Sequence, residues 1–333
     1  MLNIISKYLG FGKPSTPVAV DNAPSLSVIN CEKWQPIGIG DFLKLEIPPR
    51  EMLLHPILPE SSLSMVYAPR GMGKSLFSMS IGLVVASGGA FLGWSAPKPR
   101  RVLYVDGEMV IVDLKERLAA ISAGLGIEVP NEHFRILAAD QTENGINLGE
   151  ADGQRALEAL LDGVDLLILD NLSTLCTTGS EAASDAWIPM QSWLLSLRRK
   201  GIAVLLVHHA GVNGRQRGTS RREDALDVVM ALRRPAKYSP DEGARFEIHF
   251  EKIRQRVEGF GEPFEAKATT VRGNDSKSRL TWSSAEIEPS PFAQAAELFG
   301  NGLTVRQVAG QLKLSKSKAG RLRQKAKDEL NAA

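Results

Sequence analysis

The 333-residue sequence has few cysteines, little net charge and no long apolar run. Its two cysteines, Cys31 and Cys176, lie far apart, which excludes a disulfide framework or a zinc cluster and favours a reducing, intracellular setting. The 40 Lys and Arg residues are balanced by 38 Asp and Glu residues, a net charge of +2, so no global field requires a nucleic-acid partner. Any DNA binding must therefore come from local basic patches.

No segment is predicted to cross a membrane. The longest apolar run, residues 81–94, is interrupted by Ser and Gly and is shorter than the roughly 20 residues that a spanning helix needs. The first residues lack the long apolar core and the cleavage site of a signal peptide. We therefore expect a cytoplasmic protein without a membrane partner.

Hydrophobic patterning divides the chain into four parts. Residues 1–45 are polar and punctuated by proline, which predicts a flexible arm. Residues 46–272 read as one α/β domain, and residues 273–290 as a polar linker. Residues 291–333 are predicted to be a small helical module.

The strands of the α/β domain fall into two groups. The first group is short, almost entirely apolar and separated by helices, which predicts a mostly parallel sheet covered on both faces. The second group alternates in polarity and is joined by short turns, which predicts antiparallel strands that extend the sheet. The first group is 62–67, 101–106, 134–137, 165–170 and 202–207, and the second is 227–232, 245–252 and 264–270.

A glycine-rich loop between the first strand and the first helix has the pattern of a phosphate-binding P-loop. Its glycines allow close backbone approach, so that N–H groups and the helix N-terminus can surround phosphate oxygens of ATP. Lys74 is predicted to reach the β- and γ-phosphates, and Ser75 to place its hydroxyl on Mg²⁺. The predicted nucleotide-binding residues are Ala68, Pro69, Arg70, Gly71, Met72, Gly73, Lys74, Ser75 and Leu76.

Two carboxylates are expected at the edge of the sheet that the P-loop occupies. Asp170 ends an apolar strand, and its expected role is an outer-sphere contact to Mg²⁺. The alternative, that it only caps the following turn, is less favoured because Asn171 could do that in its place. Glu108 ends the strand that we expect beside the P-loop strand, where a carboxylate could polarise the water that attacks the γ-phosphate.

His208 and His209 end the next apolar strand. Because consecutive side chains of a strand point to opposite faces, one of the two is expected to sense the γ-phosphate, with a slight preference for His209. A purely structural histidine pair is the alternative.

The four motifs, at residues 67–75, 102–108, 166–171 and 206–209, occur in an order that resembles the RecA-like ATPases of the plasmid-replication helicase (RepA) type, the AAA_25 group. The resemblance covers roughly residues 50–272 and is specific for the ATPase core. It implies a homo-hexameric ring with ATP sites between subunits, Glu108 as catalytic base and the histidine pair as sensor.

The resemblance also implies basic residues that reach the site of a neighbouring subunit. Lys252 and Arg254 are similar to the Lys-x-Arg element of replicative helicases, and Arg217 lies in a segment similar to the one that follows the sensor histidines. Arg217 is predicted either as an arginine finger or as part of a DNA-facing loop. Arg215 and Arg221 in the same loop could follow a nucleic-acid backbone, although a mobile loop is nearly as good an interpretation.

The helical module resembles a helix-turn-helix. Its last helix carries Lys316, Lys318 and Arg321, which would meet DNA phosphates if the helix entered a groove. A solvated basic helix and a helix that docks on another protein are the alternatives. Together these features predict a ring-forming replicative helicase of a plasmid or mobile element. The alternatives are a DNA-binding regulatory or helicase-loader ATPase that unwinds nothing and, less favoured, a recombinase-like filament.

Overall fold

The computed structural model describes residues 36–177, 184–211, 224–254, 260–273, 276–287, 289 and 291–332. It divides into two compact units, residues 1–49 and 50–333. Of the first unit, residues 36–49 are described, and they contain the single-turn helix α1 (Ile39–Phe42), which has no buried residue. Of the predicted arm at residues 1–45, residues 1–35 therefore lie outside the described residues.

A nine-stranded sheet forms the core of the second unit. Its strand order is β13-β12-β11-β10-β3-β9-β8-β6-β7, and two short hairpins, β1–β2 and β4–β5, stand apart from it. The strands are β1 (Met52–Leu54), β2 (Leu58–Pro59), β3 (Leu63–Ala68), β4 (Ala90–Phe91), β5 (Trp94–Ser95), β6 (Val102–Asp106), β7 (Phe134–Ala138), β8 (Leu166–Asp170), β9 (Ala203–His209), β10 (Val228–Arg233), β11 (Arg245–Ile253), β12 (Phe264–Arg272) and β13 (Ser278–Glu286).

Helices cover both faces of the sheet, so the prediction of a mostly parallel sheet with helices on both sides is confirmed. Two separate hydrophobic clusters lie on the two faces, one around α2 and the other around α6. The helices are α2 (Lys74–Ser87), α3 (Ile111–Leu125), α4 (Ala151–Glu158), α5 (Leu172–Leu175), α6 (Ser184–Arg199), α7 (Pro291–Gly300), α8 (Val305–Gln311) and α9 (Lys316–Ala332).

Helix α2, which follows the P-loop, is enclosed on every side. Eleven of its fourteen residues are buried. The parallel strands cover one side of α2, and residues of the antiparallel strands β11 to β13 pack against another side. Phe77 lies 5.8 Å from Phe246 of β11 and 6.2 Å from Trp282 of β13, measured between ring centroids. The indole N–H of Trp282 donates to the hydroxyl of Ser80 at 2.9 Å. The mostly apolar sequence of α2, in which Ser78 and Ser80 are also buried, is thus that of a helix without a broad solvent face.

Strand β13 closes the enclosure by packing against α3. The contact is so close at Gly124 that a Cβ atom there would lie 1.9 Å from the carbonyl oxygen of Leu280. Only glycine allows the backbone of α3 to approach β13 to this extent.

Two predictions about the antiparallel extension were wrong. Residues 273–290 were expected to be a linker, but β13 occupies Ser278–Glu286 and pairs with β12 over nine residues. Its polar sequence reflects an edge strand in which only Leu280 is buried and Arg279, Trp282 and their neighbours remain partly or fully exposed. Strand β10 was expected to be antiparallel, but it pairs in parallel with β3, and the antiparallel pairing begins with β11.

The C-terminal segment contains the three predicted helices, α7, α8 and α9. Thr304 caps α8 in a capping box with Gln307, and Ala295, Val308, Ala309 and Ala319 are buried. The segment therefore has a small core of its own in which alanines allow the helices to approach closely. In the described part of the chain, no helix combines the length and the apolar character needed to cross a membrane.

Candidate active site

The P-loop connects the end of β3 to the start of α2. Gly71 and Gly73 adopt positive φ angles of 70° and 98°, conformations that glycine tolerates and other residues rarely adopt. The Lys74 ammonium donates to the carbonyl oxygens of Ala68 and Pro69 at 3.1 and 2.9 Å. Burial lowers the pKa of Lys74, and the charges of Asp170 and Glu108 partly oppose this effect. The carboxylates thus help Lys74 to keep its charge at the loop.

Asp170 is buried beside the P-loop, as the sequence predicted. Its carboxylate accepts hydrogen bonds from the hydroxyl of Tyr104 at 2.5 Å and from that of Ser78 at 3.4 Å. Burial raises the pKa of Asp170, while hydrogen bonds from Tyr104 and Ser75 act in the opposite direction. A carboxylate and a serine hydroxyl at hydrogen-bonding distance are hard oxygen donors of the kind that Mg²⁺ requires, so Ser75 and Asp170 fit the expected metal site.

Glu108 follows β6 in a turn that Asp106 organises. The Asp106 carboxylate accepts the backbone N–H groups of Glu108 and Met109 at 3.1 and 2.6 Å. Burial raises the pKa of Asp106 to about 6, although these two hydrogen bonds lower it. The position of Glu108 is therefore fixed through its backbone, while its side chain remains exposed to solvent.

The side chain of Glu108 is held by Asn171. The Asn171 amide donates to Glu108 Oε2 at 2.6 Å, and its carbonyl oxygen accepts the backbone N–H of Ser173 at 3.0 Å as the N-cap of α5.

One expectation about this region was wrong, because β6 does not lie beside the P-loop strand. Strands β9 and β8 lie between β3 and β6, since the chain crosses over them before it returns.

The two histidines have different surroundings. His208 is 1% exposed, whereas His209 lines the cleft and its Nε2 lies 4.0 Å from Glu108 Oε2. This geometry agrees with the preference for His209, and its role as a sensor stays a prediction.

A single cleft of about 820 Å³ brings the predicted residues of this sheet edge together. It extends past the P-loop between α3 and the β12–β13 hairpin, so one of its walls comes from the segment that was expected to be a linker. The residues that line it include Arg70, Gly71, Met72, Gly73, Lys74, Ser75, Leu76, Asp106, Glu108, Asp113, Glu116, Arg117, Asp170, Asn171, His209, Thr270, Ser278 and Leu280.

Lys252 and Arg254 lie away from this cleft, at the opposite edge of the sheet. Their side chains donate to one backbone carbonyl oxygen, that of Asp224, at 3.2 and 2.5 Å. The predicted Arg215, Arg217 and Arg221 lie outside the described residues. Lys316, Lys318 and Arg321 lie on α9 and are exposed.

Sequence reasoning missed four residues that support the site: Tyr104, Asp106, Asn171 in its contact with Glu108, and Arg234. A buried acid at the end of an apolar strand was a signal for Asp106. Tyr104 and Arg234 gave no such signal, because their hydrogen-bond partners, Asp170 and Gly71, are 66 and 163 residues away in the chain.

A family model described as an AAA domain, AAA_25, matches residues 33–215, more than half of the chain. The chain belongs to the AAA_25 family. With the site geometry, this membership makes it a RecA-like P-loop ATPase, and the AAA_25 match ends before β10, so the antiparallel strands and the C-terminal helices lie beyond it.

Other comparisons are more distant. No curated protein matches this AAA_25 chain. Among solved structures, the KaiC-like protein PH0186 from the hyperthermophilic archaeon Pyrococcus horikoshii OT3 is similar, with 13% sequence identity and a TM-score of 0.46. The similarity covers 70% of this chain and 98% of that one.

Proposed function

We propose that this ATPase assembles into a hexameric ring and drives movement along DNA, as a replicative helicase of a plasmid or mobile element. The observation that carries the proposal is the separation of two sets of residues on one sheet. The P-loop, Glu108 and Asp170 lie at the carboxyl edge, and Lys252 and Arg254 lie at the amino edge.

The separation follows from strand register. The backbone N–H of Arg254 donates to Asp227 O at 2.9 Å, and that of Asp227 donates to Leu63 O at 2.7 Å, which places Arg254 beside the start of β3. The P-loop begins where β3 ends, five residues further on, or about 17 Å along the strand. Arg254 is therefore too far from the P-loop of its own chain to act on the nucleotide there.

A neighbouring subunit resolves this separation. When the amino edge of one copy faces the carboxyl edge of the next, two different surfaces meet, and such head-to-tail contacts close into rings when the rotation allows. Each ATP site would then contain Glu108 of one subunit and Arg254 of its neighbour.

In this arrangement Glu108 accepts a proton from a water molecule while the water oxygen bonds to the γ-phosphorus and the bond to the bridging oxygen of ADP breaks. Lys74 and the backbone N–H groups of the P-loop bind the phosphates, and Arg254 of the neighbour stabilises the charge that develops. Mg²⁺, held by Ser75 and Asp170, would neutralise phosphate charge.

The support for DNA as the substrate is the charge of the C-terminal helices. Residues 291–326 contain seven Lys and Arg residues and one acidic residue, Glu297. Arg323 and Lys325 lie over the rings of Phe299 and Phe292, at 5.8 and 4.4 Å from the centroids. Lys316, Lys318 and Arg321 are exposed on α9, where they can meet phosphates.

The interface can be tested by mixing two inactive variants. Glu108→Gln and Arg254→Ala each lack one half of every site, so each alone should be nearly inactive. In a randomly mixed ring about one quarter of the interfaces would combine an intact Glu108 with an intact Arg254. Recovery of about a quarter of the ATPase activity on mixing supports the interface, and additive residual activities would refute it.

The action on DNA needs a separate assay. Strand displacement on duplexes with a 5′ or a 3′ tail should require ATP, and mass measurement with a non-hydrolysable nucleotide should give a hexamer. ATP turnover that single strands stimulate without any displacement would reject the helicase.

That last outcome would favour a second candidate, a DNA-binding regulatory or helicase-loader ATPase. The compact three-helix segment supports this candidate, because a basic helix on a small separate core suits recognition of duplex DNA. Tighter binding to one duplex sequence than to single strands would favour it over the helicase.

A further inference from the structure

Arg234 connects the P-loop to the turn between β10 and β11. It immediately follows β10, and its Nη2 donates to the carbonyl oxygen of Gly71 at 2.8 Å. Its Nη1 donates to the carbonyl oxygens of Arg245 and Gly243 at 3.1 and 3.3 Å. One guanidinium therefore joins the middle of the P-loop to the first residue of β11.

The guanidinium itself is held in place by Tyr238. Its Cζ lies 3.8 Å from the centroid of the Tyr238 ring, and the Tyr238 hydroxyl donates to Gly243 O at 3.1 Å. A planar cation stacked on an aromatic ring, with donors on both sides engaged, has little freedom to turn away from Gly71.

The contact with Gly71 has a stereochemical consequence for Met72. In a planar trans peptide the C=O of one residue and the N–H of the next point in opposite directions. Because Gly71 O points towards Arg234, the N–H of Met72 points away from it. Gly71 and Met72 both line the nucleotide cleft and Arg234 does not, so this N–H is turned towards the side where the phosphates bind.

A second contact supports the same loop two residues later. A Cβ atom on Gly73 would lie 2.8 Å from the Cβ of Ala244, which directly precedes β11. The turn between β10 and β11 thus touches the P-loop at Gly71 through a hydrogen bond and at Gly73 through close packing.

We propose that Arg234 is a positioning residue for phosphate binding, which holds the Gly71–Met72 peptide with its N–H directed at the phosphates of ATP. The proposal rests on the proposed ATPase function, and it extends that function to a residue that does not touch the nucleotide. The positive charge of Arg234 at the back of the loop also favours a bound polyanion.

The test is nucleotide affinity, measured by calorimetry with ATP and with ADP in the presence of Mg²⁺. Arg234→Met keeps an apolar stem on Tyr238 and removes the donors, so the Kd for both nucleotides should rise about tenfold or more. Arg234→Lys retains the charge and one donor group but loses the planar fork, so it should recover only part of the affinity. KM should rise with the Kd, whereas kcat at saturation should stay within about threefold, since Arg234 acts through binding.

Arg233→Met is the matched control. Arg233 is the preceding residue, points to the other face of β10 and pairs with Glu251 at 2.7 Å, away from the P-loop. Its Kd values should stay within about twofold of the wild type. If Arg234→Met does not fold, Tyr238→Ala against Tyr238→Phe tests the same support, and only the alanine variant should lose affinity.

Unchanged affinity in folded Arg234→Met, or in Tyr238→Ala, would overturn the positioning role. Equal losses in Arg234→Met and Arg233→Met would overturn it as well, because they would indicate a general effect of β10. Failure of the wild-type protein to bind ATP would instead overturn the proposed function itself.

Discussion

The two edges of the sheet hold their functional side chains in different ways. At the carboxyl edge, side chains hold side chains: Tyr104 donates to Asp170 and Asn171 donates to Glu108. At the amino edge, Lys252 and Arg254 donate to a backbone carbonyl at the boundary of a segment outside the described residues.

Under the proposed function, this difference separates the half of the site that one chain completes alone from the half that it offers to a neighbouring subunit. In that proposal the carboxyl edge supplies the groups that bind nucleotide and metal and activate water, and buried neighbours such as Tyr104 and Asn171 orient them. The amino edge presents cations on long side chains, which can exchange one carbonyl for a phosphate at small cost in free energy. Variants at the carboxyl edge should therefore lose nucleotide binding or hydrolysis within one chain, whereas variants at the amino edge should lose only activity that depends on a neighbouring subunit.

The largest effect is expected at Glu108. Glu108→Gln removes the base, but the glutamine carbonyl oxygen can still accept the hydrogen bond from the Asn171 amide. The kcat should therefore fall by about 10³-fold while the Kd for ATP stays the same. Lys74→Ala is the contrasting variant and should weaken ATP binding itself. Single-turnover hydrolysis and equilibrium binding on the same preparations separate the two, and equal losses of affinity would contradict the assignment of Glu108.

A smaller effect, on stability, is expected at Asp106. Its pKa is about 6 in the folded protein and 3.8 for an unperturbed aspartate, so the folded state binds this proton more tightly than the unfolded state. The contribution of Asp106 to stability is therefore lost as pH rises from about 4 to about 6. Asp106→Asn should remove this loss, a relative gain on the order of 2–3 kcal/mol at pH 8 against pH 4.

Urea unfolding of the wild type and Asp106→Asn at both pH values measures the gain, since other titrating groups cancel in the difference. A difference between the two proteins that does not change with pH would show that Asp106 is ionised equally in both states.

The smallest effect is expected at Asn171. Asn171→Ser keeps an oxygen that can cap α5, but its shorter side chain lacks the amide N–H group that reaches Glu108, so kcat should fall about tenfold with little change in Tm. Asn171→Ala would also lose the cap, and its Tm should fall as well. A serine variant with wild-type kcat would show that Glu108 needs no side-chain support and would weaken the contrast between the two edges.

The sequence was sufficient where structure depends on neighbouring residues. Strand ends at Asp106, Asp170 and His209 were predictable, because buried parallel strands are short apolar runs and their carboxyl ends meet at one edge. Roles could therefore be predicted for Asp170 and His209, whereas the role of Asp106 in organising the turn at Glu108 was missed.

What the sequence could not supply was pairing over long distances. Strand β13 has the polar composition of a linker, and only its packing on α3 makes it a strand. The direction of β10 depends on its register with β3, and the support of the P-loop by Arg234 joins residues from opposite ends of the domain. Local composition does not predict such contacts.

The burial of α2 on every side has consequences for the order in which the chain folds and for where it can be truncated. Phe77 and Ser80 complete their contacts only when Trp282 is present, some 200 residues later in synthesis. The nucleotide-binding helix should therefore mature late, after nearly the whole domain has left the ribosome, and such long-range closure is slow. A fragment that ends at residue 272 lacks β13 and would leave the apolar side of α2 that Trp282 covers exposed to solvent, so we expect it to aggregate.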